Sequence, residues 1–303
     1  MLTIFKQVAI LFIFAIIGFT LCKTKKINSS HTKFLSTLVV WVFMPATSFK
    51  SFSANFTTKY IKEKYDIILS SAIAVVIICI LAFFLSKLLT KDKYRRSVYT
   101  YSMVVPNSGY MGVPLTKAIF GETMLTNVLL FALPINVYLY SVGYCSLTKT
   151  KLTFKKLLNP PLLAIALGSV IGLSGLTLPS FATDFLETAS APLGPSTMLI
   201  LGMTLSEYKF SKLLKFNMNY LITLLRLVII PVAGVLIFKL LSLDNVIIPA
   251  LIVYSMPCGL NTVVFPKLVD EDCETGAALT LISTTLSMIT IPLLFYFFKI
   301  NII

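Results

Sequence analysis

The sequence predicts an all-α polytopic membrane protein: ten transmembrane helices in two inverted five-helix repeats, with broken helices 4 and 9 crossing at the midplane. Three observations carry this expectation. The 303 residues are 57% hydrophobic and only 13% charged, about half the charged fraction of a soluble domain. Ten apolar stretches of roughly 20 residues, each the length a helix needs to cross a bilayer, can be laid end to end. Two of them, 97–121 and 246–269, are interrupted at matching places by Pro106-Asn107-Ser108-Gly109 and Pro257-Cys258-Gly259.

The expected spans are 4–22, 34–52, 67–89, 98–119, 124–147, 159–178, 185–206, 217–240, 246–267 and 276–299. None shows the ten-residue alternation of a membrane barrel. The first lacks a small-x-small cleavage site before Lys23 and reads as a retained span rather than a signal peptide. Orientation follows from Lys and Arg: the odd loops hold 17, the termini and even loops 8. The positive-inside rule then puts the odd loops in the cytoplasm and both termini outside. The second loop, with Lys50, Lys59, Lys62 and Lys64, runs against the trend. The net charge of +14 is thus a set of topology determinants, and nucleic acid is not an expected partner. The five cysteines form neither a disulfide framework nor a metal-ligand set.

The halves 1–150 and 151–303 repeat. Pro106 and Pro257 are 151 positions apart, Pro114 and Pro266 152, Pro45 and Pro195 150. An odd number of spans per half inverts the second half, the architecture of secondary transporters, and paired interrupted segments point to their binding site. At each break a half-helix exposes backbone N–H groups and the positive end of its dipole. Two such ends meeting at one point favour an anion, with Asn107, Ser108, Asn261 and Thr262 supplying further donors. Pro106, Cys258 and Gly259 shape the same break. Asn136, beside Pro134 in the fifth span, is added to the pocket. Val104, Met111 and Leu260 are expected as its apolar wall.

Arg226 stands alone as a charge deep in a span, about 15 Å from Phe216 at ~1.5 Å per residue. An ionisable residue at that depth is a functional candidate, here for gating or anion attraction; the alternative is a structural Arg capping carbonyls freed at a helix break. No Asp or Glu lies deep in any span and the one histidine, His31, is in the first loop, so a buried proton relay has no support. Asp66 and Glu187, at the starts of the third and seventh spans, are the only acids placed to act as coupling groups, and read first as solvated span ends. Thr47, Ser48, Ser196 and Thr197 read as helix–helix hydrogen-bonding groups, and Gly168, Gly172 and Gly175 as sites of close helix approach.

VPNSGYMGVPLTKAIFG (105–121) resembles the fourth-helix motif of the auxin efflux carrier family, which includes the PIN-FORMED proteins. MPCGLNTVVFPKLVDEDCETGAALTLISTTLSMITIPL (256–293) is similar to its ninth and tenth helices, FMPATSFKSF (43–52) to its second, and RLVIIP (226–231) to its eighth. The long hydrophilic loop of the plant members is absent, only Thr148 to Leu158 standing there, so the resemblance is to the short bacterial members. It implies a scaffold domain (helices 1, 2, 6, 7), a transport domain (3–5, 8–10), a homodimer through the scaffold, and elevator-like movement of carboxylate-bearing organic anions, malate- or malonate-like or auxin-like. It maps the substrate carboxylate to Pro106, Asn107, Pro257, Cys258, Gly259 and Asn261.

The chain therefore reads as a secondary carrier of a small organic anion in the cell membrane, without metal or organic cofactor. Uniport and sodium coupling both stay open. A transporter-like receptor that binds an anion without moving it is the alternative; an enzyme is not expected.

Overall fold

The computed structural model describes residues 2–151, 159–215, 217–267, 269 and 271–298; Lys155, Lys156, Phe216 and Lys299, the last residue of the tenth expected span, lie outside them. Every element in the described residues is helical. α1 is Leu2–Lys23. α2 is His31–Asn55, with a π turn at Val39–Phe43. α3 is Thr58–Leu89 and α4 Lys93–Val104. α5 covers 108–120 and α6 122–148, separated by Gly121 at φ 75°, ψ −173°. α7 is Pro160–Ser174, α8 Ser180–Ser190 and α9 Leu193–Leu205. After the single turn Phe210–Leu213, α10 is Asn217–Leu240, α11 Asp244–Ser255, α12 Asn261–Lys267 and α13 Glu274–Phe297.

Six of the helical stretches are long and apolar enough to cross a membrane, and α7 and α11 are shorter apolar helices. The outer face of α3 exposes Ile73, Val76, Ile77, Ile80, Leu81 and Phe84, as a helix facing lipid does. Several boundaries differ from expectation. α4 begins at Lys93 rather than 98, so Lys93, Arg95 and Arg96, expected in a loop, are on its first turn. α3 begins nine residues early because the Thr57 hydroxyl accepts from the Tyr60 amide at 3.1 Å, a side-chain cap that starts the helix there. Lys59, Lys62 and Lys64, expected in a loop, are thus on its first turns. The seventh expected span is two helices, α8 and α9, parted at Ala191-Pro192. α4, which leads into the first break, is fixed at its start by Asp92, whose carboxylate accepts from the Arg95 and Tyr94 amides at 2.9 and 2.8 Å. These backbone donors, that of Arg95 first, hold the Asp92 carboxyl below its ordinary pKa.

Three of the four π turns among the described residues, all but Leu139–Gly143, have a sequence cause. Pro45, Pro114 and Pro231 each follow a π turn by two residues, at Val39–Phe43, Ser108–Gly112 and Leu225–Ile229. A proline ring collides with the carbonyl four residues back and gives no N–H; a widened turn moves that carbonyl aside and lets the helix continue. At Pro114 the displaced carbonyl is that of Tyr110, and the Thr197 hydroxyl of α9 donates to it at 2.7 Å. The expected interhelical role of Thr197 is therefore seen in detail.

Glycines set the closest contacts. α1 packs on α9, and the second half of α2 on α7. A Cβ at Gly202 would lie 1.8 Å from the Ala15 carbonyl oxygen, and at Gly172 2.6 Å from that of Phe56. Gly168 meets Phe49 in the same way, at 2.8 Å. Gly175 does not share this role: it caps α7 at φ 70° with nothing near a Cβ, the left-handed position that ends helices. The other helices form a second set, α3 against α4 and α6, and α10 against α11 and α13.

Gly202→Ala forces α1 and α9 apart. Overpacking of this kind costs about 1–3 kcal/mol, so the purified variant should unfold at a clearly lower Tm than the parent in a thermal melt.

Candidate functional site

The two interrupted segments meet. Pro106 and Cys258 form an isolated antiparallel bridge, and the Asn107 amide donates to the Pro257 carbonyl at 2.8 Å. Val105 (ψ 106°) and Met256 (ψ 146°) are extended, as residues before proline must be. Gly259 faces the other segment, where a Cβ would make ordinary contact 3.4 Å from the Val105 carbonyl oxygen. The Cys258 amide donates to the Ser283 hydroxyl of α13 at 3.0 Å. Thr262, one residue into α12, donates back to the Gly259 carbonyl at 2.9 Å.

These diversions strip hydrogen bonds from the helix ends. Met103 loses its usual donor, the Asn107 amide. Val253 loses its fourth-residue donor because Pro257 has none, and keeps only a long bond from the Met256 amide at 3.3 Å. Tyr254 loses its donor because the Cys258 amide has turned to Ser283. Buried carbonyls in an apolar core must be paired, and Arg226 pairs them. Its Nη1 donates to the Met103 carbonyl at 3.0 Å, its Nη2 to Val253 and Tyr254 at 3.2 Å each, and its Nε to Met256 at 3.1 Å. One guanidinium thus caps the C-terminal ends of both α4 and α11. Arg226 is 0% exposed, and no carboxylate pairs with it among the described residues. Of the two readings of Arg226, the geometry displays the carbonyl cap. The side chain does not border the cavity described next.

That cavity is narrow, about 40 Å³, and lies between the two helix sets. Its polar lining is Thr47 and Ser48 from α2, Ser108 at the start of α5, and Asn136 and Tyr140 from α6; Met44, Val113, Leu129 and Ile165 are among its apolar wall. It runs from the crossing toward the end of the bundle where Tyr140 and Pro161 stand.

The expected site residues therefore divide into two groups. Pro106, Asn107, Pro257, Cys258 and Gly259 build the crossing and do not border the cavity. Ser108 and Asn136 line it. Asn261 opens α12, half-buried. Asn107 is 2% exposed, and its Nδ2 has no partner among the described residues. Val104, Met111 and Leu260 are buried core residues rather than cavity wall. Thr47, Ser48 and Tyr140 were not expected there. Thr47 follows the π turn before Pro45, which rotates the later residues of α2 off a continuous 3.6 period and masks the signal. Asp66 and Glu187, read as solvated ends, make exposed contacts there: Asn245 Nδ2 donates to Asp66 at 3.2 Å, and Lys117 to Glu187, 54% exposed, at 3.1 Å.

The family profile described as membrane transport protein, that of the auxin efflux carriers, matches residues 3–151 and again 146–295. The chain belongs to this family. As a member of the auxin efflux carrier family it is a multi-pass membrane transporter and not an enzyme, and each half carries a match of its own. It is 27% identical over 281 residues to an uncharacterized transporter of Methanocaldococcus jannaschii, covering 88% of this chain and 90% of that one. An uncharacterized transporter of Methanothermobacter thermautotrophicus is 27% identical over 204 residues, 64% of this chain and 65% of that one.

Arg226→Lys keeps the charge but replaces a planar fork by a single ammonium that cannot reach four carbonyls. Leaving buried acceptors unpaired costs about 1–3 kcal/mol each. The variant should show a Tm well below that of the parent, in the absence of any substrate.

Proposed function

We propose that the chain is a secondary carrier of a small carboxylate-bearing organic anion. Ten membrane-spanning segments stand in two inverted repeats, and the helices work as two bodies. α1, α2 and α7–α9 form the scaffold; α3–α6 and α10–α13 form the moving transport body and carry the substrate past it in an elevator-type motion. The observation that carries this reading is the cavity between the two sets, which ends at Ser108 beside the crossing. Support comes from chemistry at that point. α5 begins there and presents unpaired N–H groups, the Asn107 Nδ2 is a buried donor without a partner among the described residues, and Arg226 is a buried cation to which none of them brings a counter-charge. A carboxylate at Ser108 meets the α5 N–H groups directly and the Asn107 amide once that side chain turns into the cavity it does not border here; Arg226, behind the crossing, acts on it through its field alone. The rest of the cavity offers hydroxyls, an amide and an apolar wall for the substrate's body.

By the distribution of Lys and Arg, both termini are extracytoplasmic and the Tyr140–Pro161 end of the cavity is cytoplasmic. The state described is then open inward. The absence of acids from the depth of the expected spans favours uniport down the electrochemical gradient; sodium held by carbonyls and hydroxyls near the crossing is the competing coupling scheme.

The test is thermal-shift binding of the purified protein against mono- and dicarboxylates, each with and without sodium, followed by flux in proteoliposomes. A ligand stabilises the folded state by RT ln(1 + [L]/Kd). Asn107→Ala leaves the backbone bond to Pro257 intact and removes only the amide donor. It should weaken binding about tenfold, the equivalent of ~1.4 kcal/mol for one hydrogen bond to a charged group. Unchanged affinity and flux in this variant would remove Asn107 from the site.

A further inference from the structure

Four charged side chains form a closed ring at the end of the bundle away from Tyr140 and Pro161. Lys50 of α2 and Glu187 of α8 are ion-paired within one helix set. Lys117 of α5 and Glu122, at the start of α6, are paired within the other at 3.3 Å. Two further pairs cross between the sets, Lys50 to Glu122 at 3.0 Å and Lys117 to Glu187 at 3.1 Å. Lys117 also donates to the Ser190 hydroxyl of α8 at 3.5 Å. Beneath the ring the Ser51 and Thr126 hydroxyls meet at 2.8 Å, again across the sets, and Thr126 is 0% exposed.

We infer that this ring is a latch that holds one face of the transporter shut and releases it without stranding a charge. When the two sets separate, the two crossing pairs break, but each lysine keeps the glutamate of its own set. Opening therefore exposes two neutral ion pairs rather than four bare charges. A static staple has no need of the inner pairs; a contact that must break and re-form does. The ring residues are partly exposed, with side-chain exposures from 23% to 54%. Each crossing pair is accordingly weak enough for thermal motion to open, biasing the equilibrium by about fivefold at most, and it is screened by salt. The inference rests on the two-body reading above but not on the identity of the substrate.

The test uses the full chain with Thr126→Cys in nanodiscs, without substrate. The rate at which a hydrophilic maleimide modifies the introduced thiol is followed by peptide mass spectrometry, which separates it from the native thiols. The otherwise unaltered ring should keep this reaction slow. Adding Lys50→Gln with Glu187→Gln removes both crossing pairs, keeps Lys117 with Glu122, and should raise the rate about fivefold or more. Raising NaCl from about 0.05 to 1 M should speed labelling where the ring is intact and leave the rate unchanged where both pairs are gone. An unaltered rate on removing the two pairs, or an equal salt response with and without them, overturns the latch. Because labelling needs no anion, a null result in the binding panel with a positive result here discards the organic-anion reading alone.

Discussion

One guanidinium holds the centre of this protein together. Two segments of the chain that cross in extended conformation in an apolar interior leave helix ends behind them, and helix ends carry acceptors with no water to satisfy them. Arg226 meets that demand for both broken helices at once, with four of its five N–H donors committed to carbonyls of α4 and α11 and of Met256 just beyond. A neutral donor would satisfy one or two of these groups. Only a planar, multiply donating and permanently charged side chain spans both helix ends. The π turn at Leu225–Ile229 surrounds Arg226 itself, so the same proline-driven widening that keeps α10 continuous also positions its one charge.

A charge with carbonyl neighbours and no carboxylate among the described residues is only partly compensated, and in a medium of low dielectric its field reaches further than in water. The cavity beside it is lined by hydroxyls, one amide and hydrocarbon, none of which neutralises a cation. Two tasks that a single residue could perform are here divided. Arg226 supplies structure and positive potential from behind the crossing, while uncharged groups face the cavity. The Lys50–Glu187 ring brings charged residues of the two helix sets into contact at one end, where solvent moderates them.

Much of this was legible in the chain. Pre-proline extension at Val105 and Met256, the interruption of both helices, and the solitary charge at Arg226 follow from local stereochemistry and the expense of charge in a bilayer. Thr197 and the close-packing glycines 168 and 172 read correctly for the same reason. The cavity wall was less legible. Its residues come from α2, α5, α6, α7 and α9; the π turn in α2 breaks the periodicity that relates Thr47 and Ser48 to a helix face, and Val104 reads as wall only because it adjoins the break. Gly175 read as a packing glycine because a helix-ending glycine and a helix-packing one look alike until the backbone turns left-handed. The ion ring was invisible for another reason: Lys50 and Glu187 are 137 positions apart, and no periodic pattern links two lysines and two glutamates drawn from four helices.

The contact that fixes the crossing is a peptide amide meeting a peptide carbonyl, Asn107 to Pro257. Every residue type except proline carries that amide, and every residue type carries that carbonyl. The side chains at the crossing are thus free to diverge over evolutionary time while the crossing keeps its geometry. A lineage can trade the amide of Asn107 or the thiol of Cys258 for other chemistry and inherit the same framework. On that basis, a scaffold of this kind is suited to descendants that share an architecture and differ in their cargo.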